Sequence, residues 1–387
     1  MADNNENKVL NVPHLRFPEF SGEWEEHTLS EYLEFKNGLN PDAKRIGSGL
    51  PFISVMDILS EGVINYDNIR GKVNATEKEI ECFGVKDGDL LFQRSSETLE
   101  DVGRANVYMD NRTAIYGGFV IRGRKIGNYD PLFFKYLLAT PLARKRTCRM
   151  GAGAQHFNIG QEGLSKISLY FPSIEEQKKI AEFLSLIDER IATQNKIIED
   201  LKKLKSAISH ILFSSKGAIH LSEIANVVMG QSPSSNAYND QGLGMPLVQG
   251  NLDISNGKTT PRLYTAEFNQ TTEKGNIILT VRAPVGEVAK ATQKVCLGRG
   301  VCAIIPHEEN MSDFIYQYLT FYKFMWRRYE QGSTFTSING SDVRNIFCPK
   351  VRNVSILTLL DIKINIEERV VKQYQSQKQY MLYQMFI

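Results

Sequence analysis

A polar loop in the first third of the chain carries side chains suited to contacts with DNA bases and phosphates. Arg94, Ser95 and Ser96 follow an apolar run, and Arg104 lies further along the same loop. Arginine is the commonest specific partner of guanine in the major groove, and cations and hydroxyls also bind phosphate. A surface arginine paired with a neighbouring acid, for example Arg104 with Asp101, is the alternative interpretation of the same residues.

Several other loops offer residues of the same kind. Two of them are rich in glycine, which allows a close approach of the backbone to a groove. A third is a glycine-containing turn with two amide side chains, the type that reads adenine. Arg282 lies in the matching loop of the second half of the chain, where Val281-Arg282-Ala283-Pro284 aligns with Arg94-Ser95-Ser96-Glu97. Ordinary solvated turns are the alternative for these loops. The remaining candidates are Gln155, His156, Phe157, Gln249, Asn251, Thr334, Phe335 and Thr336.

Motifs for catalysis and for cofactor binding are missing from the sequence. It contains no G-x-x-x-x-G-K-[ST] phosphate loop, and no Asn-Pro-Pro-aromatic or Asp-Pro-Pro-aromatic tetrad of an amino-methyltransferase. The glycine-rich stretch from Gly151 follows a predicted helix, whereas a dinucleotide site follows a strand. The six histidines have no metal spacing and the five cysteines form no C-x-x-C pair. We therefore expect no catalytic residue, no cofactor and no metal in this chain.

Composition is that of an ordinary globular protein. The chain has 387 residues, with 42% hydrophobic and 23% charged residues, which is enough for two or three domains. A formal net charge of +2 argues neither for nor against nucleic-acid binding. The polar N-terminus lacks a signal core, and no apolar run has the length of a membrane span. These features predict a cytoplasmic protein without a membrane partner.

The stretch from Phe171 to Leu212 predicts one long amphipathic helix. Ser173 and Glu176 have the S-x-x-E spacing of a capping box at its start. From Ile187 to Leu212, mostly apolar residues recur in alternating steps of four and three, with Gln194 and Lys205 as the polar members, which is the pattern of a coiled-coil seam. The seam positions are Ile187, Ile191, Ile198, Leu201 and Ile208.

The same seam recurs 173 residues later, near the C-terminus, as Leu360, Ile364, Val371, Tyr374 and Met381. The segments between the helices repeat too. Gly38-Leu39-Asn40-Pro41 matches Gly230-Gln231-Ser232-Pro233, and a predicted helix at Tyr136 matches one at Tyr318. Two helices in one register, with repeating segments between them, indicate a duplicated unit.

The sequence predicts the order domain, helix, domain, helix, with bounds 1–172, 173–215, 216–348 and 349–387. We expect an α+β protein with two mixed α/β domains, two long antiparallel coiled-coil helices and an internal pseudo-twofold repeat. In the first domain, short apolar runs predict strands around Ile53, Ile64, Leu91 and Val107. One helix is predicted from Pro131 to about Arg146.

Taken together, these residues resemble the specificity subunit of type I restriction-modification systems. The resemblance covers essentially the whole chain and is most specific at the start of the long helix. It rests on the runs LRFPEFSGEW, GDLLFQRS, GNIILTVRAPVGEVAKA and FPSIEEQKKIAEFLSLIDERI, and on the glycine-rich loop ahead of the helix.

The resemblance implies a non-catalytic protein with two target recognition domains, each reading one half of a split sequence in double-stranded DNA. The two long helices would pack antiparallel as a spacer. The implied partners are two methyltransferase subunits and, in the full complex, restriction subunits. S-adenosylmethionine, ATP and Mg would be needed only in those partner subunits.

The second helix start departs from the pattern. It reads CPKVRNVSILTLLD and lacks the charged run at 175–179. A methyltransferase contact made by the first helix start would be weaker or different at the second. Two other functions stay open at this stage: a self-contained DNA-modifying enzyme, which the missing motifs disfavour, and a coiled-coil scaffold with two protein-binding heads.

Overall fold

A computed structural model describes residues 10–153, 155–214, 219–330, 336–350 and 353–387. The chain forms two compact units, one of Met1–Gln194 with Val370–Ile387 and the other of Asn195–Arg369. Each unit combines one mixed α/β domain with parts of two long helices, so the end of the chain completes the first unit.

Eleven short strands and six short helices are described in the domain of the first unit. The strands are β1 (Glu25–Thr28), β2 (Leu33–Asn37), β3 (Ile46–Ile53), β4 (Gly71–Val73), β5 (Leu90–Gln93), β6 (Ser95–Ser96), β7 (Ala105–Val107), β8 (Ile115–Tyr116), β9 (Val120–Lys125), β10 (Phe157–Asn158) and β11 (Ser168–Phe171). The helices are α1 (Leu29–Tyr32), α2 (Val55–Ile58), α3 (Glu77–Phe83), α4 (Pro131–Ala139), α5 (Pro141–Arg149) and α6 (Gln161–Ser165).

The main sheet of this domain is antiparallel, with strand order β2-β9-β5-β7. Strand β5 is buried along its whole length and lies between β9 and β7, with Leu90 opposite Gly123 and Val107. A second sheet, β4-β3-β8, packs a separate apolar cluster around Val73 and Ile115. The side chains after β5 therefore project from the end of a rigid central strand.

Two predicted elements of this domain differ from the structure. The helix predicted from Pro131 to Arg146 is two helices, because Pro141 lacks the N–H that a continuous helix needs. Thr140 ends the first helix and caps the second, accepting from the N–H of Ala143 at 3.3 Å. The run around Ile64 forms only an isolated bridge with Tyr108, not a strand.

The domain of the second unit repeats the plan with larger sheets. Its strands are β12 (Ile219–His220), β13 (Ala225–Met229), β14 (Tyr238–Asn239), β15 (Met245–Val248), β16 (Ile254–Ser255), β17 (Lys258–Thr259), β18 (Leu263–Thr265), β19 (Thr271–Thr272), β20 (Ile277–Thr280), β21 (Val288–Lys290), β22 (Val295–Leu297), β23 (Val301–Pro306) and β24 (Phe347–Cys348). The order β13-β23-β20-β21 within its largest sheet matches β2-β9-β5-β7 of the first unit.

Helices of the second unit pack on this sheet. The longest of these helices runs from Ser312 to Tyr322, and shorter helices cover Leu221–Ile224 and Gly340–Arg344. The core between the 312–322 helix and the sheet is rich in aromatic residues, including Phe314, Tyr318 and Trp326. Large rings bury much apolar area, which stabilises so small a domain.

The two long helices are α7 (Ile174–Phe213) and α11 (Ser355–Gln384); in chain order α8 is Leu221–Ile224, α9 is Ser312–Tyr322 and α10 is Gly340–Arg344. The hydroxyl of Ser173 accepts from the N–H of Glu176 at 3.4 Å, at the predicted cap. The structure buries the seam residues Ile187, Ile191, Ile198, Ile364 and Val371. The other seam residues are half-buried: Leu201, Ile208, Leu360, Tyr374 and Met381.

Polar contacts inside each unit show that the helices run antiparallel. In the first unit Lys378 pairs with Asp188, and Tyr374, four residues earlier, lies against Arg190. In the second unit Lys202 pairs with Glu368 at 2.8 Å and Lys205 with Asp361 at 2.5 Å. Within each unit, as residue numbers increase along α7, the numbers of their partners on α11 decrease, as an antiparallel pair requires.

Candidate nucleic-acid interface

In the first unit, the loop after β5 and the glycine-rich loop pair with each other at one end of the main sheet. β6 and β10 run antiparallel, with Ser95 opposite Asn158 and Ser96 opposite Phe157. The Ser95 hydroxyl donates to Oδ1 of Asn158 at 2.5 Å. Two loops that are distant in sequence therefore form a single polar surface, which we call the first edge.

Arg94 lies at the base of the first edge and is half-buried. Its backbone N–H donates to the carbonyl of Phe119 at 2.9 Å, and its guanidinium donates to the carbonyl of Gly118 at 3.4 Å. Phe119 itself projects outwards, with 68% of its side chain exposed. An exposed aromatic ring beside an arginine is a surface on which a base or a sugar can pack.

A further loop reaches the first edge through Asn40, which is exposed. The N–H of Leu39 donates to the carbonyl of Tyr116 at 2.9 Å, which holds the loop against the 116–119 turn. A Cβ at Gly118 would lie 1.8 Å from Oδ1 of Asn40, so position 118 admits only glycine while Asn40 occupies that space.

The other predicted residues of the first unit differ in how free they are. Arg104 pairs with Asp101 at 2.7 Å, which is the alternative interpretation that the sequence left open. This pair is exposed and therefore weak, so DNA phosphate can compete for the arginine. Gln155 and His156 are exposed on the glycine-rich loop, and Phe157 is half-buried in the strand pair.

The second unit has an equivalent surface, which we call the second edge. Arg282 follows β20 and pairs with Ser337. The N–H of Ala283 donates to the carbonyl of Thr336 at 3.0 Å, and the N–H of Ile338 donates to the carbonyl of Val281 at 3.0 Å. Thr336 is half-buried, whereas Thr334 and Phe335 lie outside the described residues.

Arg282 does not occupy the place of Arg94, in agreement with the alignment of Val281-Arg282 with Arg94-Ser95 in the two repeats. The N–H of Arg94 bonds to the residue before β9, and the N–H of Val281 makes the same bond before β23. Val281 therefore matches Arg94, and Arg282 matches Ser95. Because side chains alternate along an extended chain, this offset of one residue turns the two arginines to opposite faces. Val281 is buried, whereas Arg282 is exposed.

A similar one-residue offset applies to the domain helices. Phe133 of α4 packs on Phe386, and Phe314 of α9 packs on Phe213, at ring distances of 5.4 and 6.2 Å. Phe213 also packs on Tyr318 and Phe321, so a second pair of contacts decides the register. Tyr136 bonds to Asp188 and Gln317 bonds to Asp361, two carboxylates that are 173 residues apart, so Phe314 matches Phe133. Gln317, and not Tyr318, is then the counterpart of Tyr136.

The 298–300 turn brings Arg299 and Gln249 to the second edge. The exposed Arg299 takes the position of Gly118, and its N–H donates to the hydroxyl of Ser232 at 3.1 Å. Gln249 is half-buried beside this turn, since a Cβ at Gly300 would lie 2.1 Å from its carbonyl oxygen. Asn251 begins a short helical turn, Asn251–Asp253, and is half-buried.

Four edge residues were missed by the sequence reasoning. Asn40 and Ser232 lie in matching repeat segments that were treated only as evidence of duplication. Phe119 and Arg299 lie in the glycine turns YGGFV and LGRGV, which precede equivalent strands. One sequence pattern could have located Phe119 and Arg299. Each is a large side chain in a repeated glycine turn, at a position where the other repeat has a glycine.

Comparisons with known proteins identify the family. A model of the type I restriction modification DNA specificity domain matches residues 21–203 and again residues 217–373. The chain belongs to the type I restriction-modification specificity family. As a specificity subunit, it is the DNA-recognising and non-catalytic component of such a system. The predicted fold class of two mixed α/β domains and two long helices is confirmed by this double match.

Relatives and solved structures of specificity subunits extend over most of the chain. The MjaX specificity subunit of Methanocaldococcus jannaschii is 29% identical over 370 residues, 88% of this chain and 86% of the relative. The EcoKI specificity subunit of Escherichia coli is 26% identical over 151 residues, 38% of this chain and 32% of the relative. The crystal structure of an S subunit from M. genitalium matches 97% of this chain and 99% of its own, with a TM-score of 0.63 at 19% identity.

Neither a metal centre nor a membrane span is found in this specificity subunit within the described ranges. There, no group of three or more His, Cys, Asp or Glu side chains is placed to hold a metal ion. No helix in the same part of the chain is long and apolar enough to cross a membrane.

The second edge generates a direct test. Arg282→Ala in the assembled methyltransferase complex should relax discrimination in one half of the methylated sequence by about 1–3 kcal/mol, the contribution of a bidentate arginine contact. The measurement is the methylation rate of duplexes altered at single positions. The matched control is Lys274→Ala, an exposed cation at the other end of β20. Unchanged discrimination, with the thermal midpoint also unchanged, would assign Arg282 to the solvated surface.

Proposed function

We propose that this specificity subunit reads a two-part DNA sequence, with the first edge on one part and the second edge on the other. The observation that carries the proposal is the repetition of one backbone frame with different side chains. In both units the residue after the central strand, β5 or β20, bonds to the turn before the neighbouring strand, β9 or β23. The residues that follow it pair with the loop ahead of the long helix.

The two edges offer different chemistry within this frame. The first edge presents Asn40, Phe119 and a half-buried Arg94, and the second presents Arg282 and Arg299 beside Ser232. Arginine suits guanine and an asparagine amide suits adenine, so the two edges are suited to different bases. Phosphate contacts around each edge would set the register without carrying sequence information.

A non-catalytic recognition subunit acts through partners. The proposed complex contains two methyltransferase subunits, joined by restriction subunits in the full assembly, and works in the cytoplasm. S-adenosylmethionine, ATP and Mg would be bound by those partners and not by this chain. Support comes from the family membership and from a solved type I restriction-modification structure concerned with complex assembly, with a TM-score of 0.59 at 19% identity.

Two of the five residues in the 175–179 run at the start of α7 are buried and engaged inside the first unit. The carboxylate of Glu176 is buried and accepts from Arg16 at 2.8 and 2.7 Å. Gln177 is also buried, and its Oε1 accepts from the N–H of Asp130 at 3.1 Å. Because these two side chains hold the N-terminal segment and the domain, we propose that their absence from the second helix start has little effect on methyltransferase docking.

Exposed apolar stripes on the long helices are better suited to a protein partner. In the second unit Ile197, Leu204 and Ile211 repeat every seven residues on α7, and Ile211 is 78% exposed. On α11, Leu359, Ile362 and Ile366 form a similar stripe. We propose that an apolar helix of the methyltransferase subunit covers these stripes, since large exposed apolar patches mark protein interfaces.

The function has a decisive experiment. The chain assembled with its methyltransferase subunits should methylate one sequence of two fixed parts separated by a spacer without fixed bases. The chain alone should transfer no methyl group from S-adenosylmethionine. Genome-wide detection of methylated bases measures the first outcome, and labelled methyl transfer to DNA measures the second. Methyl transfer by the pure chain, or an assembled complex without sequence preference, contradicts the proposal; the latter result favours a scaffold with two protein-binding heads.

Docking has its own test. The double substitution Leu359→Asp and Ile366→Asp should weaken binding of the methyltransferase subunit at least about tenfold, because burying one large apolar side chain contributes about 1.5–3 kcal/mol. The control is Gln373→Asp, which places a negative charge at an exposed polar position on the same helix. Calorimetry on purified subunits gives the affinities, and equal affinities for wild type and double variant would remove this surface from the proposal.

A further inference from the structure

One carboxylate in the first unit links three helices. Oδ2 of Asp188 on α7 accepts a hydrogen bond from the hydroxyl of Tyr136 on α4 at 2.8 Å. Its Oδ1 accepts from the ammonium of Lys378 on α11 at 2.5 Å. The ammonium also lies 5.4 Å from the centre of the Tyr136 ring. At this carboxylate the recognition domain, through α4, is joined to both long helices at once.

The second unit contains the same link with the helix roles exchanged. Oδ2 of Asp361 on α11 accepts from the side-chain amide of Gln317 on α9 at 2.7 Å. Its Oδ1 accepts from the ammonium of Lys205 on α7 at 2.5 Å. A shift of 173 residues converts Asp188 into Asp361 and Lys205 into Lys378. The carboxylate and the lysine are therefore repeated. The domain side chain that donates to the carboxylate differs, since it is a tyrosine in the first unit and a glutamine in the second.

The domain donors of the two links are buried, whereas the carboxylates and lysines are partly exposed. Tyr136 and Gln317 are buried, at 2% and 3% exposure. Burial raises the pKa of Tyr136, and the nearby Asp188 carboxylate raises it further, so the hydroxyl stays a donor at every physiological pH. Hydrogen bonds to a charged group are short, strong and directional. Apolar contact between a domain and a helix tolerates small rotations, whereas such a bond does not.

We infer that Asp188 and Asp361 are positioning residues that fix the angle of each recognition domain on its own part of the helix pair, and that they thereby determine which spacer lengths the complex accepts. This inference rests on the proposed reading of a two-part sequence. A domain free to rotate about its helices would keep its edge, and hence its half-site, but would meet DNA over a wider range of spacings.

The test uses the assembled methyltransferase complex on a DNA library in which the two half-sites are constant and the spacer length varies. The variants are Asp188→Asn, Tyr136→Phe and, for the second unit, Asp361→Asn. Tyr136→Phe keeps the Lys378 pair and the ring, so it decides the question if Asp188→Asn does not assemble. The matched control is Glu189→Gln, which removes an exposed carboxylate one residue further along α7.

Wild type and the Glu189→Gln control should methylate one spacer length. The three variants should also methylate neighbouring lengths, with discrimination against them reduced by roughly tenfold, as expected for one hydrogen bond to a charged group. Both half-sites should keep their sequence. Retention of a single spacer length by the variants, or loss of one half-site, overturns the inference. A wild-type complex without any two-part methylated sequence contradicts the proposed function instead.

Discussion

The constraint on which the structure depends is the apolar seam of the long helices. The 40-residue helix α7 buries its apolar seam against a second helix, because an amphipathic helix in a protein gains most of its stability from the packing of its apolar face. The partner comes from the far end of the chain, where the same seam recurs. The first compact unit therefore joins residues 1–194 with residues 370–387, whereas the second is one continuous segment, 195–369, that contains parts of both helices.

Duplication explains how one chain obtains two recognition surfaces that can change independently. The sheet strands and the backbone bonds that link the loops are retained in both units, since they hold a buried core. The exposed side chains at the edges, such as Phe119 and Arg299, lie outside that core and are free to differ. The exchange of Asn40 and Gly118 for Ser232 and Arg299 illustrates this: a smaller neighbour leaves room for an arginine where the first edge admits only glycine.

Much of the fold could be predicted because it follows from periodicity. The helix seams, the cap at Ser173 and the central strand before Arg94 are all written as local patterns. The register of the domain helices could not be predicted, since an offset of one residue at Gln317 leaves the apolar pattern almost unchanged. The burial of Glu176 and the exposure of Phe119 depend on contacts with residues that are distant in sequence. Local residue patterns do not contain this information.

The central claim is that the two edges read separate half-sites, and a domain exchange tests it most directly. Residues 219–348 would be replaced by the matching domain of another specificity subunit, leaving α7 and α11 in place, and the methylated sequence of the assembled complex would be read genome-wide. The account predicts that one half of the sequence changes to that of the donor and that the other half is retained. A change in both halves, or in neither, would contradict it.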